Sequence, residues 1–218
     1  MKMRLRFAEK SSGLLLAACA ALTAAEMRAQ TSQGTVEVRG LSGSASYSAL
    51  GGAATPLQAR ASVPIGAVIK TPSGSAVDLS FSHHAGTVRL LQNSTLSLDR
   101  FSVAGSTVGT VVDVQLDLRE GSMLGLEKKL PNSSKYQIKV AHGIADLGGA
   151  KYRIDAQGHL VVLEGAGLFI FVAPRGDPAP FELKAPPPVY FSPPEGVRAA
   201  PAELISEVVL QTKGKLHR

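Results

Sequence analysis

Short stretches of alternating apolar and polar residues fill most of the chain, from Gly34 to about Val172. The stretch VVDVQLDL at 111–118 is typical: positions 112, 114, 116 and 118 are valine or leucine, and 113, 115 and 117 are polar. Such alternation over four to eight residues, bounded by glycine, serine, asparagine or aspartate, indicates half-buried strands. It predicts an all-β body of many short strands, arranged either as a sandwich or as a β-solenoid-like roll.

The pattern changes at residues 174–201, where nine of the thirteen prolines lie. Proline favours extended chain without a backbone donor, so we expect a linker or a strap over the domain that excludes most sheet pairing. Tyr190 and Phe191 favour the strap, because a free linker has little use for aromatic side chains.

After Pro201, apolar residues return at helical spacing: Leu204, Ile205, Val208 and Val209 form one stripe. Residues 202–218 are therefore predicted to be a short helix followed by a basic tail. The neighbouring valines are β-branched, so a terminal strand is the alternative.

The N-terminal 29 residues have the pattern of an export signal, with a basic start and an uncharged run from 13 to 25. Cleavage is expected after Ala25 or Ala29. LAAC, ending at Cys19, resembles a bacterial lipobox, in which the cysteine would be lipidated. The apolar run continues past Cys19, which favours an ordinary signal core over a lipid attachment site. The run is shorter than the roughly 20 residues of a membrane-spanning helix, and we expect no transmembrane helix after signal removal.

Composition narrows the classes of function. The formal net charge of +6 falls to about +3 without residues 1–29, which hold five basic and two acidic residues. No arginine or lysine cluster is interleaved with aromatic residues, so nucleic acid is not an expected partner. Cys19 is the only cysteine, so the remaining body has neither a disulfide nor a thiolate metal site.

Candidate chemistry is sparse. The adjacent pair His83–His84 is predicted to form a turn rather than a metal site, because neighbouring strand side chains point to opposite faces. His142 is expected at an exposed strand end, and His159 in a hairpin connection. The remaining candidates are five aspartates, whose spacing singles out no carboxylate pair: Asp78, Asp113, Asp117, Asp146 and Asp155. We therefore predict no catalytic site, no metal site and no cofactor.

The stretch KYQIKVAHGIADLGGAKYRID, residues 135–155, is interpreted as two strands around a connection. Apolar alternation covers 136–140 and resumes at 152–154. Gly148 and Gly149 together would supply the backbone freedom that a tight return needs.

Four stretches follow one another along residues 66–172: GAVIKTPSGSAVDLSF, GTVRLLQNSTLSL, LDLREGSM and YQIKVAHGIADLGGAKYRID. In this order they resemble the FecR-type domain, the periplasmic module of the ferric-citrate regulators. The family's arginine-glycine-threonine signature is altered, since Leu147, Gly148 and Gly149 stand in its place. Family regulators usually carry a cytoplasmic sigma-factor-binding segment and a spanning helix. Neither is found in this sequence, so the resemblance implies a stand-alone exported version without the anti-sigma role.

The predicted organisation is therefore a signal peptide (1–29), a FecR-like all-β domain (30–173), a proline-rich strap or linker (174–201) and the helix with its tail (202–218). The leading functional hypothesis is a non-enzymatic exported domain that binds a protein or glycan partner in the bacterial envelope, with strand addition at a sheet edge as one binding mode. An envelope lipoprotein held through Cys19, with a structural or assembly role, is the alternative. A glycan-active enzyme is less favoured.

Overall fold

The computed structural model describes residues 31–106, 109–173, 175–193 and 195–212. They contain eighteen strands and one helix, so the predicted all-β class is confirmed. In chain order the elements are β1 (Thr31–Gln33), β2 (Val36–Ser42), β3 (Ser46–Ala49), β4 (Thr55–Pro56), β5 (Ser62–Val63), β6 (Ala67–Thr71), β7 (Ala76–Phe81), β8 (Gly86–Leu90), β9 (Ser94–Ser106), β10 (Gly109–Glu120), β11 (Ser122–Leu126), β12 (Lys135–Val140), β13 (Gly143–Asp146), β14 (Lys151–Asp155), β15 (Leu160–Phe171), β16 (Ala179–Ala185), β17 (Val189–Ser192), β18 (Gly196–Ala199) and α1 (Ala202–Thr212).

The strands lie in two layers that face each other. The first layer runs β4, β3, β6, β9, β10, β12, β13, the second half of β15, and β16, with β1 beside the far half of β9. The second layer runs β5, β2, β7, β8, β11, β14, the first half of β15, β17 and β18. Among the described strands, only β10 and β12 pair in parallel. Two layers face each other as in the predicted sandwich, and the chain winds alternately through both, as in the predicted roll.

One strand, β15, joins the two layers into a single large mixed sheet. Its residues 160–164 pair with β14 of the second layer, and residues 165–171 pair with β16 of the first. Gly165, at the crossing, has a φ of +90°, and a Cβ there would lie 2.5 Å from the carbonyl oxygen of Gly149. Only glycine fits this backbone conformation and this close approach.

The core lies between the layers and contains aromatic contacts across them. Phe81 of the second layer packs edge-on against Phe101 of the first at 5.5 Å between ring centroids, and also contacts Tyr136. At the other end, Phe169 and Phe191 lie 4.4 Å apart. These contacts bring inward-facing positions of both layers into one continuous apolar core.

The interpretation of residues 135–155 as two strands is wrong, because they form three. β12 returns through Ala141 and His142 into β13, with which it pairs antiparallel. The tight return is therefore at Ala141–His142. Gly148 and Gly149 instead lie where the chain leaves the first layer for β14 in the second. β13 has four residues and begins with a glycine, too short a stretch to show clear alternation.

The expectation that prolines exclude sheet pairing from residues 174–201 is also wrong. β16 pairs with β15 over seven residue pairs, and β17 pairs with both β15 and β18. Pro180 is the only proline of this segment within a described strand, and it fits because β16 is an edge strand, where a missing backbone donor can face solvent. Phe191 of β17 is fully buried.

The C-terminal helix is confirmed, and α1 packs on the outer face of the second layer. Val208 is buried against Leu124, Val161 and Leu163. This explains the apolar run at 160–163, which shows no alternation. Leu160 and Val162 face the core, whereas Val161 and Leu163 face the helix. The tail from Lys213 lies outside the described residues.

The predicted signal peptide also lies outside the described residues, together with Cys19, Ala25 and Ala29. Within the described part of the chain, no helix has the length and apolar character needed to cross a membrane.

Candidate functional site: the outer face of the first layer

No described helix covers the outer face of the first layer over β12, β13, β15 and β16. Strand register places Ile144 opposite Ile170, and both side chains point outward, with exposed fractions of 38% and 36%. Val172, 44% exposed, continues this face beyond β15, and half-buried Leu168 precedes Ile170 on the same side. We call these four residues the apolar patch. A contiguous group of exposed aliphatic side chains on one face is a candidate interaction surface.

A groove of about 520 Å³ lies beside the patch, and Leu168 contributes to both. The segment 130–134 forms one wall, and the outward residues of β13, β15 and β16 form the floor. The lining residues are Leu130, Pro131, Asn132, Ser134, Asp146, Gly148, Ala166, Gly167, Leu168, Glu182, Leu183 and Lys184. They include no histidine or cysteine. The polar side chains among them are those of Asn132, Ser134, Asp146, Glu182 and Lys184.

Asp146 stands where the groove meets the patch. Partial burial raises the pKa of its carboxyl group, while the backbone of Tyr136 and Gly148 and the charge of Lys135 oppose this shift. Asp146 faces Leu168 in the register, and Leu168 faces Glu182, so the two acidic residues flank one aliphatic side chain. The groove thus combines two carboxyl groups and the ammonium group of Lys184 with the aliphatic side chain of Leu168.

Each of the other aspartates of the sequence analysis contacts a basic side chain of this chain. Their contacts are Asp78–Arg89 at 3.2 Å, Asp113–Arg100 at 3.1 Å, Asp117–Arg119 at 3.0 Å and Asp155–His159 at 2.9 Å. Asp146 and Glu182 form no ion pair within the described residues. The structure therefore distinguishes Asp146 from four aspartates that the sequence could not separate from it.

A second polar cluster is buried inside the molecule, around Glu127. Its side chain lies in the interior, with the whole residue 5% exposed, and the hydroxyl of Tyr152 donates a hydrogen bond of 2.8 Å to its Oε1. Burial raises the pKa of Glu127 well above its ordinary value, and the hydroxyls of Tyr152 and Tyr136 oppose the shift. Oε2 of Glu127 and the hydroxyl of Tyr136 have no hydrogen-bond partner in the described structure. A proton on Oε2 would give this carboxyl group a donor to direct at Tyr136, which is consistent with a neutral acid.

His83 and His84 form the predicted turn. Both have positive φ, +54° and +58°, and Ala85 donates its backbone N–H to the carbonyl of Ser82 across them. This is the conformation of a tight hairpin turn that usually contains asparagine and glycine. No group of three or more metal-ligating side chains occurs in the described ranges.

The remaining histidines occupy connections. His142 is half-buried in the β12–β13 turn, where its carbonyl accepts a hydrogen bond from Val172. His159 lies in the predicted β14–β15 hairpin connection, bonded to Asp155 and parallel to the ring of Tyr190 at 6.4 Å. Both have structural contacts that account for their positions.

Sequence reasoning missed the apolar patch and the Glu127 cluster. Ile144 was assigned to a connection, so its cross-strand contact with Ile170 was not foreseen. Glu127 precedes two lysines in a charged run and carries no signal of burial. Tyr136 and Tyr152 at core-facing strand positions were the one available sign that hydroxyl groups would need a buried partner.

Comparison of the chain with protein-family models, with curated proteins and with solved structures gave no significant match.

Proposed function

We propose that this protein is a non-enzymatic exported domain that binds a protein or glycan partner in the bacterial envelope through the outer face of its first layer. The observation that carries the proposal is the apolar patch of Ile144, Leu168, Ile170 and Val172 beside the polar groove. An apolar centre with a polar and charged border is the usual organisation of a binding surface.

The face is a better binding surface than the sheet edges. Four edge strands, β1, β4, β5 and β18, have only two to four residues each. The longer edge strand β16 carries Pro180, Glu182 and Lys184 as its exposed residues. Short edges, proline and charge all oppose the addition of another strand, so strand addition at an edge is less favoured than binding through this face.

We also propose that the chain is a FecR-type domain. The position of its altered signature agrees with binding through the outer face of the first layer. The altered signature, residues 147–149, adjoins the groove: Gly148 lines it, whereas Leu147 is buried. A stand-alone FecR-type domain with this change would differ from its family at the surface that we propose for binding.

An enzyme that hydrolyses glycans is less favoured. Asp146 and Glu182 lie two strands apart, which places their backbones roughly 10 Å from each other. Retaining glycosidases need carboxyl groups about 5 Å apart. An inverting glycosidase uses carboxyl groups that lie farther apart. The test is therefore release of reducing ends from purified peptidoglycan. Such a release, if abolished both by D146N and by E182Q, would contradict the proposal.

Site-specific photo-crosslinking tests the proposal. A photoreactive amino acid at position 144 of the full chain, expressed with its own N-terminus, should crosslink to a reproducible envelope component. The matched control is position 210, because Leu210 of α1 is 70% exposed on the other layer and should give none. Crosslinks only at position 210, or equal yields at both positions, would contradict it.

The alternative of a lipoprotein anchored through Cys19 is tested separately. Cells that express the chain are fed a palmitate analogue. A label that is lost in Cys19→Ser would support the anchor, and no label on the unmodified protein would remove it.

A further inference from the structure

We infer that the partner is a protein segment that places an aliphatic side chain on the apolar patch and a lysine or arginine side chain in the groove, between Asp146 and Glu182. This inference rests on the proposed function and specifies the chemistry of the partner. It assigns an aliphatic anchor and a cationic contact to one continuous surface.

The aliphatic anchor follows from the patch. Ile144 and Ile170 form a cross-strand pair, so their side chains are direct neighbours on the outer face. Val172 and Leu168 lie on either side of Ile170 along β15 and its continuation. Each keeps part of its apolar surface in water, and an aliphatic side chain laid across them would remove that surface from water, which favours binding.

The cationic contact follows from the two carboxyl groups. Asp146 and Glu182 flank Leu168, and neither forms an ion pair within the described chain. The basic side chains on this part of the face are Lys135, Lys139 and Lys184, and Lys184 shares the groove with Glu182. Asp146 is half-buried, so burial disfavours its carboxylate form; Lys135 offsets part of this cost, and an incoming cation would offset more of it. Arginine would suit the site best because its planar group binds carboxylates in a bidentate manner.

The same face fits a protein better than a glycan. Sugar rings are commonly held by their C–H groups against the electron-rich face of an aromatic ring. The outward residues of β12, β13, the second half of β15 and β16 include no aromatic side chain in the described structure. Aliphatic side chains bordered by charge instead match the centre and rim of a protein interface.

The test uses peptides selected from a random phage-displayed library on the purified, signal-free protein. Selected sequences should carry leucine, isoleucine or valine close to arginine or lysine. A synthetic copy should bind with an affinity measurable by fluorescence anisotropy. The double variant I144T/I170T should weaken binding at least tenfold. D146N/E182Q should weaken it about tenfold at 50 mM salt and less at 300 mM, because salt screens the charge contribution.

Two control variants lie away from the surface and should bind like the unmodified protein. Leu50→Ser removes an exposed aliphatic side chain from the loop after β3, and Glu203→Gln removes an exposed carboxylate from α1. Far-ultraviolet circular dichroism and thermal unfolding establish that all variants are folded before binding is compared.

Several results would overturn the inference. These are enrichment of acidic peptides, no enrichment at all, equal binding by the patch variants, or saturable binding of N-acetylglucosamine oligomers that D146N/E182Q abolishes. A concentration-dependent dimer lost in I144T/I170T would make a second copy of the chain the occupant and overturn it as well. If the inference fails while position 144 still crosslinks to an envelope component, the proposed function stands. If crosslinking at 144 is also absent, both fail.

Discussion

Replacement of Glu127 by glutamine is expected to remove a pH-dependent loss of stability. Glutamine keeps the shape of a neutral glutamic acid: its carbonyl can accept from Tyr152, and its amide can donate toward Tyr136. Burial raises the pKa of Glu127 in the folded state well above the value of 4.5 expected for the unfolded chain. Between these two pKa values the folded protein binds more protons than the unfolded protein. The free energy of unfolding therefore falls as pH rises, by about 1.4 kcal/mol per pH unit.

The assay is urea denaturation of the unmodified protein and E127Q at half-unit steps from pH 4.5 to pH 8. Asp146 also has a raised pKa, but it titrates in both proteins, so the difference between the two curves isolates Glu127. We expect similar stabilities near pH 4.5 and an advantage for E127Q that grows above it for as long as the pH stays below the raised pKa of folded Glu127. Glu203→Gln, an exposed substitution on α1, should leave the pH profile unchanged. A difference in the free energy of unfolding that does not change with pH would refute a neutral buried Glu127. So would a decrease in the stability of E127Q relative to the unmodified protein as pH rises.

Three further variants test other features of the fold by chemical or thermal unfolding. Tyr152→Phe should destabilise by about 1–3 kcal/mol, because it leaves a buried oxygen of Glu127 without its donor; a change below 0.5 kcal/mol would show that this hydrogen bond is dispensable. The double change His83→Asn with His84→Gly should stabilise by about 1–2 kcal/mol, since both positions have positive φ. A loss of stability there would mean that the histidine side chains make contacts worth more than the strain. Gly165→Ala should destabilise by about 2–3 kcal/mol, because its Cβ would meet the Gly149 carbonyl where β15 crosses between layers. Unchanged stability would contradict that backbone geometry.

The all-β class and the terminal helix could be predicted because each depends on a local pattern. Alternation in 111–118 matches β10, whose inward residues are buried, and the spacing of Leu204, Ile205, Val208 and Val209 matches α1. The expectation that the proline-rich segment would not pair was wrong because each proline removes only one backbone donor. An edge strand such as β16 needs donors on one side only.

The candidate site could not be predicted because it depends on pairing between distant strands. Ile144 and Ile170 are 26 positions apart, and only the register of β13 with β15 makes them neighbours. Asp146 differs from the other aspartates because it forms no ion pair within the described residues, which is a property of the assembled sheet. Glu127 likewise has no local sign of burial, since its environment comes from Tyr136 and Tyr152 on two later strands.

The most direct measurement for the binding face is the ratio of photo-crosslink yields at positions 144 and 210 in cells that export the full chain. Both positions carry exposed aliphatic side chains, but they lie on opposite layers. Binding through the apolar patch predicts a strong, reproducible adduct at 144 that is lost when Ile170 is also changed to threonine, and background yield at 210. Equal yields at both positions, or an adduct at 210 alone, would contradict it.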